Sequence, residues 1–463
     1  MRQVWAVARM TFAEGVRMRI VLVFLVVLVI LVLRMPFTLR GDETLTGRLQ
    51  NFLAYALGAL GALLSLATVF FSCSTLATEF RERSLHLLVT KPISRFQILL
   101  GKWLGINLLN VLVLALGGVT IFGFAAFIRS RPEQFARDRL QVRDVVWTSR
   151  VAARPILPEK KIGEAAHAEV QRRTEAGELE PSAQKAKFTE LVKSYATQWR
   201  QVESGGERFY EFEGLPAPEG QDVVIQIRYR VMAIPLPPQE MVSIGWCFCD
   251  PESGAPLHAP VVTRERYGQR HQFLVRASAV VKGGKALLQV INPHNPALPT
   301  VVYFEGDDSL EVLYKVGGFE LNFAKTLVII LLRLMLLSAL GLFFSVFVSF
   351  PVACLCASVF YVVCVALPFI LEAMGAFDSM LTPQVDPYGR FGPMVRAFLV
   401  PLLNFAFPDF NTYSGVDALI EGEYIAPGLL SMACLRTLVF GSALLLLPGW
   451  LIFSRREVAE VVV

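Results

Sequence analysis

The sequence predicts a polytopic α-helical membrane protein with six transmembrane helices, plus a mostly-β extracytoplasmic domain, sandwich or jelly-roll-like, with a helical appendage. Three observations predict it. Of 463 residues, 54% are apolar and only 18% charged, against roughly 45–50% and about 25% in soluble domains. Long uncharged runs cluster toward both ends of the chain. Between them, residues 129–322 hold most of the charge, and the later part of that insert alternates apolar and polar residues.

A spanning helix needs about 20 mostly apolar residues. Residues 20–33 are shorter, but Arg17, Arg19 and Arg34 flank them and their stems can snorkel. Arg34, Met35, Pro36 and Phe37 follow in place of a small-residue cleavage site, so this run reads as a retained helix. Residues 49–78 and 103–128 carry no charge. Residues 334–371 are uncharged too, and Pro351 divides the region into helices over 323–350 and 351–371. Residues 429–454 carry only Arg436 and make the sixth span. The chain thus divides into 1–128, with an amphipathic helix and three spans; 129–322, the insert; and 323–463, with three spans and a loop at 373–428. Within that loop the apolar piece 397–407, broken by Pro401, is too short to span and reads as interfacial or re-entrant.

The insert is helical in composition over 159–203 and β-rich over 207–318. Val223, Ile225, Ile227, Tyr229 and Val231 recur at every second position, as do Val242, Ile244, Trp246 and Phe248. Pro/Gly turns at 216–218, 235–238, 251–254 and 283–284 separate such runs, the signature of antiparallel strands with one buried face.

Short-loop Lys/Arg bias sets orientation. Arg2, Arg9, Arg17 and Arg19 face one acid, Glu14, before the first span. Arg81, Arg83, Lys91, Arg95 and Lys102 face Glu79 and Glu82 between the second and third. Both termini are therefore expected to be cytoplasmic and the insert extracytoplasmic. The insert holds 25 basic and 25 acidic residues and is neutral to this rule. The net charge of +5 records membrane orientation, and no nucleic-acid partner is expected.

No catalytic or metal residue is assigned. Cys73, Cys354, Cys356, Cys364 and Cys434 lie in or near spans and read as packing residues. Cys247 and Cys249 share the polar face of one strand; metal use would need His258 or His271. Glu305 to Asp308 reads as a turn. Tyr210, Phe212, Tyr229, Trp246 and Trp199 read as core, with sugar or lipid contact the alternative. Arg333, inside the fourth span, either snorkels, pairs with Glu372, or lines a translocation path.

Residues 78–102 hold a short amphipathic helix, with Phe80, Leu85, Leu87 and Leu88 as its ridge, stopped by Pro92; Ser94 then caps the next helix, and a plain interfacial helix would show the same pattern. This stretch resembles the cytoplasmic loop of ABC-2 type (type V) ABC transporter permeases. Glu79, Leu88, Pro92, Ser94, Arg95, Gly101 and Lys102 match that pattern, while Ser84 stands where the family has Gly. Residues 4–19, with Thr11, Phe12 and Glu14, resemble the family's elbow helix. Pro408-Asp-Phe-Asn411 and Phe453-Ser-Arg-Arg-Glu457 resemble its later motifs.

The resemblance implies a permease subunit in a bacterial inner membrane, paired with a second copy and seated on a cytoplasmic ABC ATPase dimer. Residues 79–89 would be the coupling helix, with Glu79, Phe80, Arg83, Leu85, Leu88, Pro92 and Arg95 as coupling residues. No cofactor is expected in this chain, since Gly101-Lys102 and Gly284-Lys285 lack the Ser/Thr of a Walker A loop; ATP and Mg would bind the partner ATPase. Membrane lipids and an extracytoplasmic partner complete the expected contacts. A lipopolysaccharide-transport-like permease, or a membrane-anchored binding or sensor protein without an ATPase, are the competing readings.

Overall fold

The computed structural model describes residues 2–18, 23, 26–27, 29–30, 34, 44–81, 93–130, 141–179, 183–216, 223–237, 239–294, 299–306, 308–380, 397–403, 407, 410 and 415–455. The chain forms two compact units, one of residues 1–149 with 317–463, the other of residues 150–316. The helical unit keeps residues 141–149, and helix resumes at Phe319.

The helical unit opens with α1 (Arg2–Arg17). Its buried residues, Val7, Ala8, Thr11 and Gly15, recur at three- and four-residue steps and give it one docking face. The first expected span, 20–33, lies mostly outside the described residues. Among the described residues five helices are long and apolar enough to cross a membrane. They are α2 (Leu45–Arg81), α3 (Arg95–Arg129) and, past the β-rich unit (whose helices are α4–α6), α7 (Phe319–Ser345), α8 (Phe350–Met380) and the run from Pro427 to Arg455. That last run is α10 (Pro427–Cys434), a wider π-helical stretch over Leu435–Ser442, and α11 (Ala443–Arg455). The break before α8 falls at 346–349, a few residues ahead of Pro351. Proline disfavours helix at the residue before it, yet fits a helix's first turn, where its missing N–H is not needed.

Helix α7 is the centre of this unit. Leu342, Ala339 and Val346 join Phe71 and Leu76 of α2, Leu99, Ile106 and Leu109 of α3, and Leu446 and Phe453 of α11 in one buried cluster. Leu337 and Leu340 join Val69 and Cys73 of α2 to Ala353, Cys354 and Ala357 of α8 in a second. Outward, Leu108, Val111, Leu112, Leu116 and Val119 on α3 and Val352, Leu355, Val359 and Val362 on α8 are exposed. Apolar faces of that extent on long helices are the surface that bilayer hydrocarbon covers. Polar contacts join the helices as well. Asn107 Nδ2 donates to Ser338 Oγ at 3.1 Å, the Thr68 hydroxyl to Asn110 Oδ1 at 2.9 Å, and Trp103 Nε1 to the Met335 carbonyl at 3.0 Å. At one end, Trp147 stacks on Phe319 at 4.3 Å, Phe122 tilts against both, and the Arg129 guanidinium lies over the Trp147 ring at 4.7 Å.

The second unit is a two-sheet β-fold with a helical hairpin. In chain order its strands are β1 (Thr148–Ala153), β2 (Gln201–Val202), β3 (Glu207–Phe212), β4 (Val224–Ile234), β5 (Met241–Cys249), β6 (Val261–Arg266), β7 (Arg270–Arg276), β8 (Ala286–Ile291), β9 (Val301–Phe304) and β10 (Leu310–Gly318). One sheet runs β1-β10-β4-β9-β2, with β7 also on β4; the other runs β3-β8-β5-β6. The long strand β4 organises the first sheet. It sets Ile227 opposite both Val312 and Phe273, and Val231 opposite Phe304.

The expected period-two faces converge in a single core. Ile225, Ile227, Tyr229 and Val231 of one sheet meet Val242, Ile244, Trp246 and Phe248, with Tyr210, Phe212, Leu288 and Val290, of the other. The hairpin α4 (Glu159–Glu175) and α5 (Gln184–Trp199) has its own small core around Ala166, Val170 and Leu191. A four-residue helix, α6 (Ala277–Val280), follows β7. Cys247 and Cys249 are buried rather than on an open polar face, because residues 250–260 fold back over their strand. Cys247 Sγ donates to the His258 carbonyl, and the Phe248 N–H donates to His258 Nε2. His258 Nδ1 faces the Ala259 carbonyl at 2.7 Å, so both ring nitrogens are occupied. Among the described residues no group of three His, Cys, Asp or Glu side chains is placed to hold a metal ion.

Candidate functional site

The expected coupling segment lies between the C-terminus of α2 and the N-terminus of α3. Arg83, Leu85, Leu88 and Pro92 fall outside the described residues, and Phe80 is placed only as part of helix α2. What the structure defines is the pair of anchors on either side of them.

The first anchor is an ion pair. Glu79, at the end of α2, is only 9% exposed and places Oε1 2.7 Å from Lys102 Nζ on α3. The Lys102 side chain is wholly buried, and its ammonium also reaches the Thr75 carbonyl at 3.5 Å. Lys102 therefore does not act as a solvated orientation charge; it is a buried partner that fixes the last turn of α2 to the second turn of α3. Glu79 Oε2 has no hydrogen-bond partner among the described residues. Glu79 faces inward, and its contribution to the segment beyond it is one of position.

The second anchor starts α3. Ser94 is extended (φ −70°, ψ 148°), and its hydroxyl accepts from the Gln97 N–H at 3.2 Å. The Gln97 side chain accepts in return from the Ser94 N–H at 3.1 Å, completing a capping box. Arg95, next in line, donates from Nη1 to the carbonyls of Phe453 at 2.5 Å and Ser454 at 2.9 Å, and its guanidinium lies over the Phe453 ring at 5.5 Å. These carbonyls end α11, where unpaired C=O groups and the negative end of the helix dipole favour a cation. The Ser-Arg dipeptide thus has two separable jobs: Ser94 stops the loop and Arg95 ties α3 to the last helix. Phe96 adds an edge-to-face contact with Trp450 at 5.8 Å.

The third element is the seat of α1. Gly101 and Gly105 of α3 form a Gly-x-x-x-Gly step, the small-residue spacing that lets two helices approach closely. A Cβ on Gly105 would lie 2.5 Å from the Ala8 carbonyl oxygen, and one on Gly101 would lie 2.7 Å from Val7 Cβ. Between these two glycines sits Lys102. One turn and a half of α3 therefore grips α1 on one side and α2 on another.

Arg333 sits elsewhere. From α7 it donates from Nη2 to the Phe410 carbonyl at 3.1 Å, with its guanidinium over the Phe410 ring at 4.9 Å. Phe410 is itself buried against Leu336, Cys364 and Tyr361. Glu372 is exposed on α8, and among the described residues no ion pair joins it to Arg333. The same face of α7 carries Asn322, Lys325 and Thr326. Asn322 Nδ2 donates to the Glu423 carbonyl at 2.6 Å and Oδ1 accepts from the Ile425 N–H at 3.0 Å. Lys325 reaches the Ile425 carbonyl at 2.7 Å and the Tyr424 ring at 4.0 Å, and the Thr326 hydroxyl donates to the Gly415 carbonyl. Arg333 thus belongs to a row that binds the segment around the short helix α9 (Gly415–Ile420) to α7. Arg333→Met is expected to raise hydrogen–deuterium exchange of the residues around 415–426 at least severalfold while leaving α3 unchanged, since a charge-assisted bond contributes about 1.5–3 kcal/mol.

The apolar helices and the buried seams between them make the protein a multi-pass membrane protein. Residues 5–135, which include α1, α2, α3 and both anchors, match the family model described as ABC-2 family transporter protein. No curated protein matches the chain. The N-terminal region is accordingly similar to ABC-2 family transporter proteins, a likeness that supports a membrane permease component.

Sequence reading placed Glu79 and Arg95 among the coupling residues but missed why each is there. It counted Lys102 only as a positive loop charge and motif position. The available signal was its place inside an apolar helix, one residue past Gly101, where a lysine needs a partner. The row Asn322, Lys325, Thr326 and Arg333 was also visible as a three- and four-residue spacing of polar groups on an apolar helix.

Proposed function

We propose that this chain couples ATP hydrolysis by a separate cytoplasmic ATPase dimer to export, or to movement of its own extracytoplasmic domain. The observation that carries this reading is the pair of contacts at the ends of α2 and α3, Glu79 with Lys102 and the Ser94 cap with Arg95 on α11. A push delivered at these two helix ends would pass through those contacts into α2, α3, α1 and α11. The Lys/Arg bias supports a cytoplasmic position for it, and six spans then set both termini on that side of a bacterial inner membrane and the β-rich unit outside. A second permease copy would provide the other half, and ATP and Mg would bind only the ATPase.

Affinity purification of the full chain from membranes in detergent tests this. The wild type is expected to bring an ABC ATPase with it, and Arg83→Glu to reduce that recovery at least tenfold by reversing a charge on the docking segment. Equal recovery with Arg83→Glu would remove the 79–89 segment from the interface, and no ATPase with the wild type would remove the coupling function.

A further inference from the structure

Within the β-rich unit lies a cavity of about 700 Å³, inside the range of roughly 300–1,000 Å³ typical of small-molecule sites. Its floor is aromatic. Trp199, at the end of α5, meets Tyr210 of β3 edge-to-face at 5.0 Å, and Tyr210 meets Phe304 of β9 at 5.5 Å and 87°. Ile156 and Leu157 continue the apolar wall, held in place by the Ile156 N–H donating to the Glu211 carbonyl. The rim is cationic: Arg154, Lys160, Lys161 and Arg200 line it, with Glu159 as the one carboxylate among the described lining residues. Arg154 also reaches Glu311 at 3.4 Å, whereas Lys160 and Lys161 have no ion-pair partner among the described residues. Helix α4 opens on this rim with no side-chain cap, so the positive end of its dipole adds to the same potential.

A second observation points to a ligand. Tyr210 is 1% exposed, and its hydroxyl has no hydrogen-bond partner among the described residues. Buried phenol hydroxyls ordinarily find one. An apolar, aromatic floor with an unsatisfied donor and a rim of excess positive charge is complementary to a molecule that is apolar at one end and anionic at the other.

We propose that this cavity binds an anionic amphiphile of the alkyl-phosphate class, with its apolar chain against Trp199, Tyr210 and Phe304 and its phosphate at Lys160, Lys161 and Arg200. The chain packs on the Tyr210 ring, and the Tyr210 hydroxyl pairs with the ester oxygen where chain meets phosphate. The site lies wholly within the β-rich unit and does not depend on the coupling function.

The test uses the full chain in phosphatidylcholine nanodiscs, labelled with a diazirine-bearing dodecyl phosphate and mapped by peptide mass spectrometry. Label is expected in peptides spanning 154–161 and 199–210. Unlabelled dodecyl phosphate should compete at concentrations about tenfold lower than dodecanol, a difference of about 1.4 kcal/mol, and inorganic phosphate should not compete. Lys160→Glu with Lys161→Glu, both on exposed positions that leave the fold intact, should lower labelling about tenfold, and Tyr210→Phe, which keeps the ring packing, severalfold. Label confined to the spans, equal competition by dodecanol, competition by inorganic phosphate alone, or undiminished labelling of the double variant would each overturn the proposal.

Discussion

Lys102→Met is expected to destabilise the protein by roughly 3–5 kcal/mol, because it leaves the Glu79 carboxylate buried without its countercharge. The loss should appear as a lowered thermal midpoint in detergent and as faster exchange at the C-terminal end of α2. Glu79→Gln combined with Lys102→Met should recover most of it, since two neutral side chains of similar volume remove the need for pairing. The cycle also separates two roles for Glu79. If Glu79 acts through position, as its burial and its 2.7 Å contact with Lys102 indicate, Glu79→Ala weakens ATPase recovery and the double variant restores it. Were Glu79 a direct docking contact, the double variant would recover stability but not the ATPase.

The second large effect concerns the seat of α1. Gly105→Leu should force α1 off α3, since even a Cβ there lies 2.5 Å from the Ala8 carbonyl oxygen, a backbone atom that cannot rotate away. Overpacking of this kind costs about 1–3 kcal/mol, more where backbone must move. Proteolysis or exchange of residues 2–17 should increase sharply. Gly123→Leu on the same helix, where nothing lies within 4 Å of the added Cβ, is the control and should be silent. If both variants behave alike, the Gly-x-x-x-Gly step is not what positions α1.

How much of this was legible in the sequence depends on range. The strands of the β-rich unit were readable because alternation is local: each of Ile225, Ile227, Tyr229 and Val231 is buried as its neighbours in sequence require. Five of the expected apolar helices were readable for the same reason, since an apolar run reports its surroundings without reference to a partner. Which strands share a sheet was not readable. The pairing of β4 with β10, β7 and β9 joins residues far apart in the chain, and alternation has no term for it. The site shows the same division. Ser94 as a cap follows from three residues of sequence, while Arg95 finds its acceptors 358 and 359 positions away. For Arg333 the sequence leaves snorkelling, pairing with Glu372 and a translocation path open, and the Phe410 carbonyl and ring that it meets lie 77 positions away. The cavity was not legible because its floor and rim come from separate stretches: Trp199 and Tyr210 read as core or as sugar or lipid contacts, and nothing local joins them to Phe304.

The central claim is that ATPase motion enters the bundle between α2 and α3, through the Glu79–Lys102 and Ser94–Arg95 contacts. The most direct measurement is ATP hydrolysis by the permease–ATPase complex reconstituted in lipid, wild type against Arg83→Glu and Lys102→Met. Coupling through an anchored segment predicts hydrolysis that depends on the permease, falls at least tenfold with Arg83→Glu, and falls with Lys102→Met but returns when Glu79→Gln is added. Hydrolysis that is the same with and without the permease, or that is indifferent to all three changes, would contradict it.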